Sequence, residues 1–175
     1  MRKTKKLTLG AMIVALGAAI MVIGAYIGIM ELSMGAFASV LMAFVFIEIG
    51  SPYTYGVWLC TSLATFLMCQ ARPEIALEYF FVFGLYPILK AYIERLPRPF
   101  WIFAKLVYAN IVIWAVILLF WLITGHSIFE FDKFWIKAVI YAVLNAAFIM
   151  YDIFITVLVR FYLEKLRNRF KTLLK

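Results

Sequence analysis

The sequence predicts an all-α membrane protein, a compact bundle of six transmembrane helices with both termini cytoplasmic. Three observations carry that expectation. Hydrophobic residues make up 67% of the chain, against about 45–50% in soluble domains. Polar breaks divide the apolar sequence into pieces close to the roughly 20 residues that a helix needs to cross a bilayer. Of the 17 Lys and Arg residues, 14 fall on one side of the resulting map, and the positive-inside rule makes that side cytoplasmic.

The elements follow in order. After the basic head Arg2, Lys3, Lys5 and Lys6 no charge occurs until Glu31, and then none until Glu48. The stretch from Leu7 to Ile49 is too long for one crossing and fits two, with the turn near Gly28, Glu31 and Gly35. Gly50-Ser51-Pro52 opens the third span, and Gln70-Ala71-Arg72-Pro73-Glu74 separates it from the fourth. Pro87, within Gly84-Leu85-Tyr86-Pro87, is expected to kink that fourth span. The run Glu94-Arg95-Leu96-Pro97-Arg98-Pro99 precedes the fifth, and Gly125 to Lys133 precedes the sixth. The spans are therefore 7–30, 32–49, 53–70, 75–93, 100–124 and 134–161, with Glu164 to Lys175 as a basic helical extension. Residues 1–175 form one six-helix domain. The inner side holds the head, then Lys90, Arg95, Arg98 and Lys105, then Arg160, Lys165, Arg167, Arg169, Lys171 and Lys175. The outer side holds Arg72, Lys133 and Lys137.

Composition also excludes some functions. The net charge of +8 is concentrated at membrane-proximal ends, where it favours anionic headgroups rather than nucleic acid. The basic head and first apolar run mimic a signal peptide. That run continues past the usual 7–15 residues without a convincing cleavage site, so a retained first helix is expected. Cys60 and Cys69 lie nine residues apart on one span, about 13 Å along a helix, too far for a disulfide. With no CxxC and no His/Cys cluster, no metal or redox site is indicated. No phosphate-binding loop, nucleophile elbow or HExxH occurs, so no enzyme activity and no cofactor are expected. An intramembrane enzyme would need Asp152 or Glu48 beside a nucleophile or metal ligands, which the sequence does not offer. His126 reads as a solvated loop residue.

Two small-residue stripes mark the first span. Ala11, Ala15, Ala18 and Ala25 share one face, and Gly10, Gly17, Gly24 and Gly28 share another. Small residues let helix backbones approach closely in lipid. Both stripes can pack within the bundle, or one can receive a partner helix.

The last span carries Lys133, Lys137, Tyr141, Asn145 and Asp152 along one face. Such groups are expensive in lipid and turn toward a bundle interior or a wet cavity. Measured from Phe134, Asn145 lies about 16 Å down and Asp152 about 27 Å, so Lys137, Tyr141 and Asn145 occupy the outer half. On the fifth span Asn110, Trp114, Trp121 and Thr124 share a face. Trp121 and Thr124 are expected level with Lys137 and Tyr141, and Asn110 nearer Asp152. Glu78, on the fourth span, lies within two turns of the outer surface. An outward pocket for a small molecule is therefore expected from Glu78, Trp121, Lys137, Tyr141 and Asn145. The alternative is that the aromatic residues are interfacial belts and the polar ones join helices. Toward the inner boundary, Glu48, Lys90, Lys105, Asn110 and Asp152 read as a charge-compensating cluster.

The whole chain, with six short-looped spans and the alanine-spaced segment Leu9-Gly10-Ala11-Met12-Ile13-Val14-Ala15 behind a basic head, resembles the substrate-binding S component of energy-coupling factor transporters. These are small six-helix proteins of the bacterial cell membrane that capture vitamins or related micronutrients. The resemblance implies that Ala11 and Ala15 dock a transmembrane coupling protein. A pair of separate ATPase subunits would then drive release inward. Ala18 and Ala25 continue the face at different spacing. No vitamin-specific signature is present, which leaves the ligand open. Rod-shape-determining membrane proteins of the D type are similar in size and span count, and would be scaffolds without an outward cavity.

Overall fold

The computed structural model describes residues 3–28, 30–126 and 134–167. Lys133 and the basic tail 168–175 lie outside the described residues. Among those described, six helical rods account for the fold and no strand occurs. They are α1 (Lys3–Ile27), α2 (Glu31–Glu48), α3 (Ser51–Met68), α4 (Pro73–Ile93), α5 (Arg98–Thr124) and α6 (Phe134–Phe161). Proline at the first or second position opens α3, α4 and α5, where its missing N–H has no intrahelical partner to lose. Gly50, at φ 101° between α2 and α3, supplies a backbone conformation that side chains disfavour.

Helices α1, α2 and α3 pack through the glycine stripe of α1. Gly10, Gly17 and Gly24 are buried. A methyl group at Gly10 would sit 3.2 Å from Val57 Cγ2, and one at Gly17 would sit 3.1 Å from Thr61 Cγ2. At Gly24 it would fall 2.9 Å from Met34 Cβ. These backbones are as close as glycine allows. The facing side of α3 is made of hydroxyl residues, with Thr54, Thr61 and Thr65 fully buried. Thr54 and Thr65 donate one turn back to the carbonyls of Gly50 and Thr61, at 2.9 and 2.8 Å, so their burial leaves those donors bonded.

Five of the six rods are long and apolar enough to cross a membrane, and α3 is not among them. Six helices are present as expected, and the polar start Ser51-Pro52-Tyr53-Thr54-Tyr55 lowers the hydropathy of α3. The rod still belongs to the bundle, since it packs against α1, α2 and α4.

α4 is interrupted as the proline predicts, with a difference in form. Residues Tyr79–Gly84 wind as a π-helix before the α-helix resumes at Tyr86. Pro87 cannot donate to residue 83, and the wider turn redistributes carbonyls toward neighbours. The indole N–H of Trp58 donates to the Phe80 carbonyl at 2.9 Å. The hydroxyl of Tyr108 donates to the Phe81 carbonyl. Carbonyls of the irregular backbone are thus satisfied by side chains of α3 and α5.

α2 is central and touches α1, α3, α4 and α6, while α5 packs on α4 and α6. The beginning of α1, the end of α2 and the end of α6 meet at one end of the bundle. There Lys6 Nζ donates to the Ile49 carbonyl at 3.2 Å, and Arg167 Nε lies 3.3 Å from Glu48 Oε1. At the opposite end Arg72 ties three segments together. It donates to the Ala25 carbonyl at 2.9 Å and pairs with Glu31 and, at 3.1 Å, with Glu74. Burial works against its charge, but the hydrogen bonds to the two carboxylates prevail and raise the guanidinium above its ordinary value.

Candidate functional site

The polar residues of the last two helices form a seam. Tyr141 donates its hydroxyl to Asn110 Oδ1. Asn110 Nδ2 donates to the Leu106 carbonyl at 2.7 Å and reaches Asn145 Oδ1 at 3.3 Å. Asn145 Nδ2 in turn donates to the Tyr141 carbonyl at 3.0 Å. Trp114 lies beside Tyr141, with ring centroids 6.4 Å apart. Tyr141 and Asn145 therefore come together, joined by Asn110 rather than by Trp121. Trp121 is two turns farther along α5 and half exposed (52%). Lys137 is exposed. Glu78 lies half-buried on α4 near Arg72, Glu74 and Glu31.

The register explains the difference. Depth counted from the 125–133 loop assumes that α5 and α6 end at one level, yet Asn110, 14 residues before the last residue of α5, meets Asn145, 11 residues after the first residue of α6. The last turns of α5 project past the level of Tyr141. Asn110, expected nearer Asp152, sits accordingly at the level of Asn145.

The charged cluster at the other end is built from α4, α5 and α6. Asp152 Oδ1 accepts from the Tyr86 hydroxyl at 2.6 Å and from Lys90. Its Oδ2 accepts from Lys105 at 2.9 Å. Glu94 Oε1 lies 3.0 Å from both Lys90 and Lys105. Lys90, 5% exposed, and Tyr86, fully buried, are held inside. Each lysine bridges two carboxylates, so charge is compensated where an isolated ammonium would be costly. Glu48 does not join this cluster and pairs with Tyr162 at 3.1 Å and with Arg167. Tyr86 and Glu94 were not expected in the cluster. Their four-residue spacing with Lys90 is the signal that points to them.

α1 separates its two stripes. The glycine face is buried against α2 and α3, while Ala11 and Ala15 are exposed. Ala18 is buried, so the alanine stripe divides between the two environments. Leu7, Met12, Leu16 and Ile23 complete the exposed side.

Two cavities stand out among the described residues. The larger, about 430 Å³, opens between α2, α4 and α6 at the end that carries Lys90, Glu94 and Arg160. The smaller, about 200 Å³, lies between α3 and α4 and is lined by apolar residues and Ser62. Neither is lined by Tyr141, Asn145 or Trp121. His126 is exposed, its amide donating to the Thr124 hydroxyl at 3.2 Å. Cys60 and Cys69 are free thiols. Compared with protein-family models, curated protein sequences and solved structures, the chain matches none.

Proposed function

We propose that this chain is a non-enzymatic subunit of a bacterial cell-membrane complex, with both termini cytoplasmic, that docks a membrane partner along Ala11 and Ala15. The observation that carries this reading is the division of α1. Gly10, Gly17 and Gly24 are used inside the bundle, and Ala11 and Ala15 remain exposed beside them. Between packed helices in lipid, close approach of small residues is a principal source of association.

Two roles share that surface. The interior favours a scaffold of the rod-shape-determining D type, which recruits other membrane proteins. Tyr141 and Asn145, two of the groups expected to line an outward pocket, bond instead to Asn110 across α5 and α6. The other role, a vitamin-capturing S component with a coupling protein and ATPases as partners, is favoured by the Ala11 and Ala15 spacing. In that role Tyr141, Asn145, Asn110 and Trp114 exchange their mutual bonds for a ligand's when α5 and α6 part.

A photo-crosslinking residue at position 15, activated in native membranes, tests the proposal. Capture of a membrane protein is expected, and the double variant Ala11→Leu, Ala15→Leu abolishes it in a pull-down. A captured coupling protein with attached ATPases selects the transport role, and other membrane proteins select the scaffold. Crosslinks to lipid alone overturn both.

A further inference from the structure

We propose that the cavity at the basic end of the bundle binds a phospholipid with a phosphoethanolamine headgroup. The cavity of about 430 Å³ is walled mainly by apolar side chains, among them Phe46, Ile155 and Val159. That volume is within the range of small-molecule pockets. Its lining comes from the last turns of α2 and α4 and from the end of α6, so it opens where these helices leave their apolar spans. An acyl chain fits such walls, and its headgroup would lie at the rim.

The rim defines the headgroup. Four charged residues line the cavity: Lys90, Glu94, Arg160 and Glu164. Lys90 and Glu94 are already committed to each other and to Asp152 and Lys105. Arg160 and Glu164 are exposed and form no ion pair among the described residues. They stand four residues apart, Arg160 at the end of α6 and Glu164 in the π-helical turn Tyr162–Leu166 that follows it. Among the described residues, one positive and one negative group therefore remain to be met together. A purely anionic headgroup satisfies Arg160 but is opposed by Glu164, and a neutral lipid satisfies neither. A phosphate joined by a short linker to a primary ammonium satisfies both. The guanidinium grips phosphate oxygens in its planar fork, and the carboxylate accepts from the ammonium N–H groups. A trimethylammonium headgroup has no N–H to donate.

The full-length protein, purified in detergent, is presented with equimolar phosphatidylethanolamine, phosphatidylcholine and phosphatidylglycerol of identical acyl chains, and retained lipid is read by native mass spectrometry. Preferential retention of phosphatidylethanolamine is expected. Arg160→Ala and Glu164→Ala should each lower its retention about tenfold, the loss of a charge-assisted contact. Both side chains are exposed, and monodisperse elution on size exclusion confirms that the variants fold. Ala91→Phe, which fills the cavity and leaves both charges, should abolish retention as well. Equal retention of the three lipids, preference for phosphatidylglycerol, or variants that behave as the parent would overturn the site.

Discussion

The first three helices and the last two are held together by different physics. Within the apolar windows of α1 and α2, 33% of residues are buried, and in α4 the share is 50%. In α5 and α6 it falls to 11% and 17%. The first region packs backbone against backbone through Gly10, Gly17 and Gly24, around a core of Met21, Met42, Val45 and Tyr79. The second joins through side-chain groups, the Asn110–Tyr141–Asn145 seam and the Asp152 cluster, around a much smaller core of Tyr86, Ala109, Phe148 and Ile155. In lipid, where apolar contact alone gives helices no preference for one another, these are the two available kinds of adhesive. Close packing depends on volume, whereas the polar joints depend on particular atoms. The two regions should therefore fail under different substitutions.

The largest effect is expected at Asp152. Asp152→Ala leaves Lys90 buried with one of its two carboxylate partners gone and removes the joint among α4, α5 and α6. Breaking a buried pair costs about 3–5 kcal/mol, measurable as a shift of the unfolding midpoint in mixed detergent micelles. Asp152→Asn keeps the shape and one acceptor, so a loss equal to that of alanine would show that charge, not geometry, holds the joint. If Asp152→Ala is neutral, the last two helices are held by something else and the contrast fails.

The packed region should break next. A methyl group at Gly35 would fall on the ring of Phe83, which is buried against Tyr151 at a centroid distance of 5.3 Å. Gly35→Leu is expected to destabilise by about 1–3 kcal/mol through overpacking. Gly56, with nothing within 4 Å of its Cβ position, is the control. There Gly56→Ala should stabilise by about 0.5–1 kcal/mol, because alanine loses less freedom in a helix. A similar response at both positions would contradict the assignment of close packing to the first region.

Much of this contrast was legible in the sequence. Helix positions followed from apolar length and from Gly and Pro punctuation, and the ends of α4, α5 and α6 fall at residues 93, 124 and 161 as expected. The two stripes of α1 were visible from their spacing, but a stripe does not say which face meets the bundle. That depends on α3, whose buried Thr61 and Val57 meet the glycine face. The candidate site was less legible. Lys137, Tyr141 and Asn145 share a helical face by periodicity, yet which neighbours meet them depends on the relative register of α5 and α6. Loop positions do not set that register, because α5 and α6, 27 and 28 residues long, are offset along their axes so that Asn110 meets Asn145. The π-turn of Tyr79–Gly84 had a partial signal in Pro87, and none in the acceptors it presents to Trp58 and Tyr108.

The seam is expected to be weaker than either. Asn145→Ala removes the acceptor that Asn110 reaches at 3.3 Å and a donor to the Tyr141 carbonyl. Polar contacts between membrane helices average about 0.6 kcal/mol in comparable measurements, so a small shift in the same micelle assay is expected. The two functional readings separate here. In a scaffold the variant recruits partners normally. In a solute-capturing subunit it loses about 1–3 kcal/mol of ligand affinity, because a buried ligand group is left without its partner. A large loss of uptake with a small loss of stability would move the assignment to transport.

The smallest effect on stability is expected at Ala11 and Ala15, and it is the one that bears most directly on function. Both are exposed on α1, on the side away from the glycine contacts with Val57, Thr61 and Met34. Ala11→Leu with Ala15→Leu should change the unfolding midpoint by no more than about 0.5 kcal/mol, as for surface substitutions away from packed features. Capture of the membrane partner should nevertheless be lost, since leucine at a small-residue crossing forces the helices apart. The corresponding change on the other face, Gly17→Leu, should do the reverse, destabilising the chain through Thr61 before any partner is involved. If the alanine variants unfold like the glycine variant, α1 is packed on both faces and has no surface left for docking. If they are stable and still capture the partner, docking lies elsewhere, and the exposed rows of α5 and α6 become the surfaces to scan.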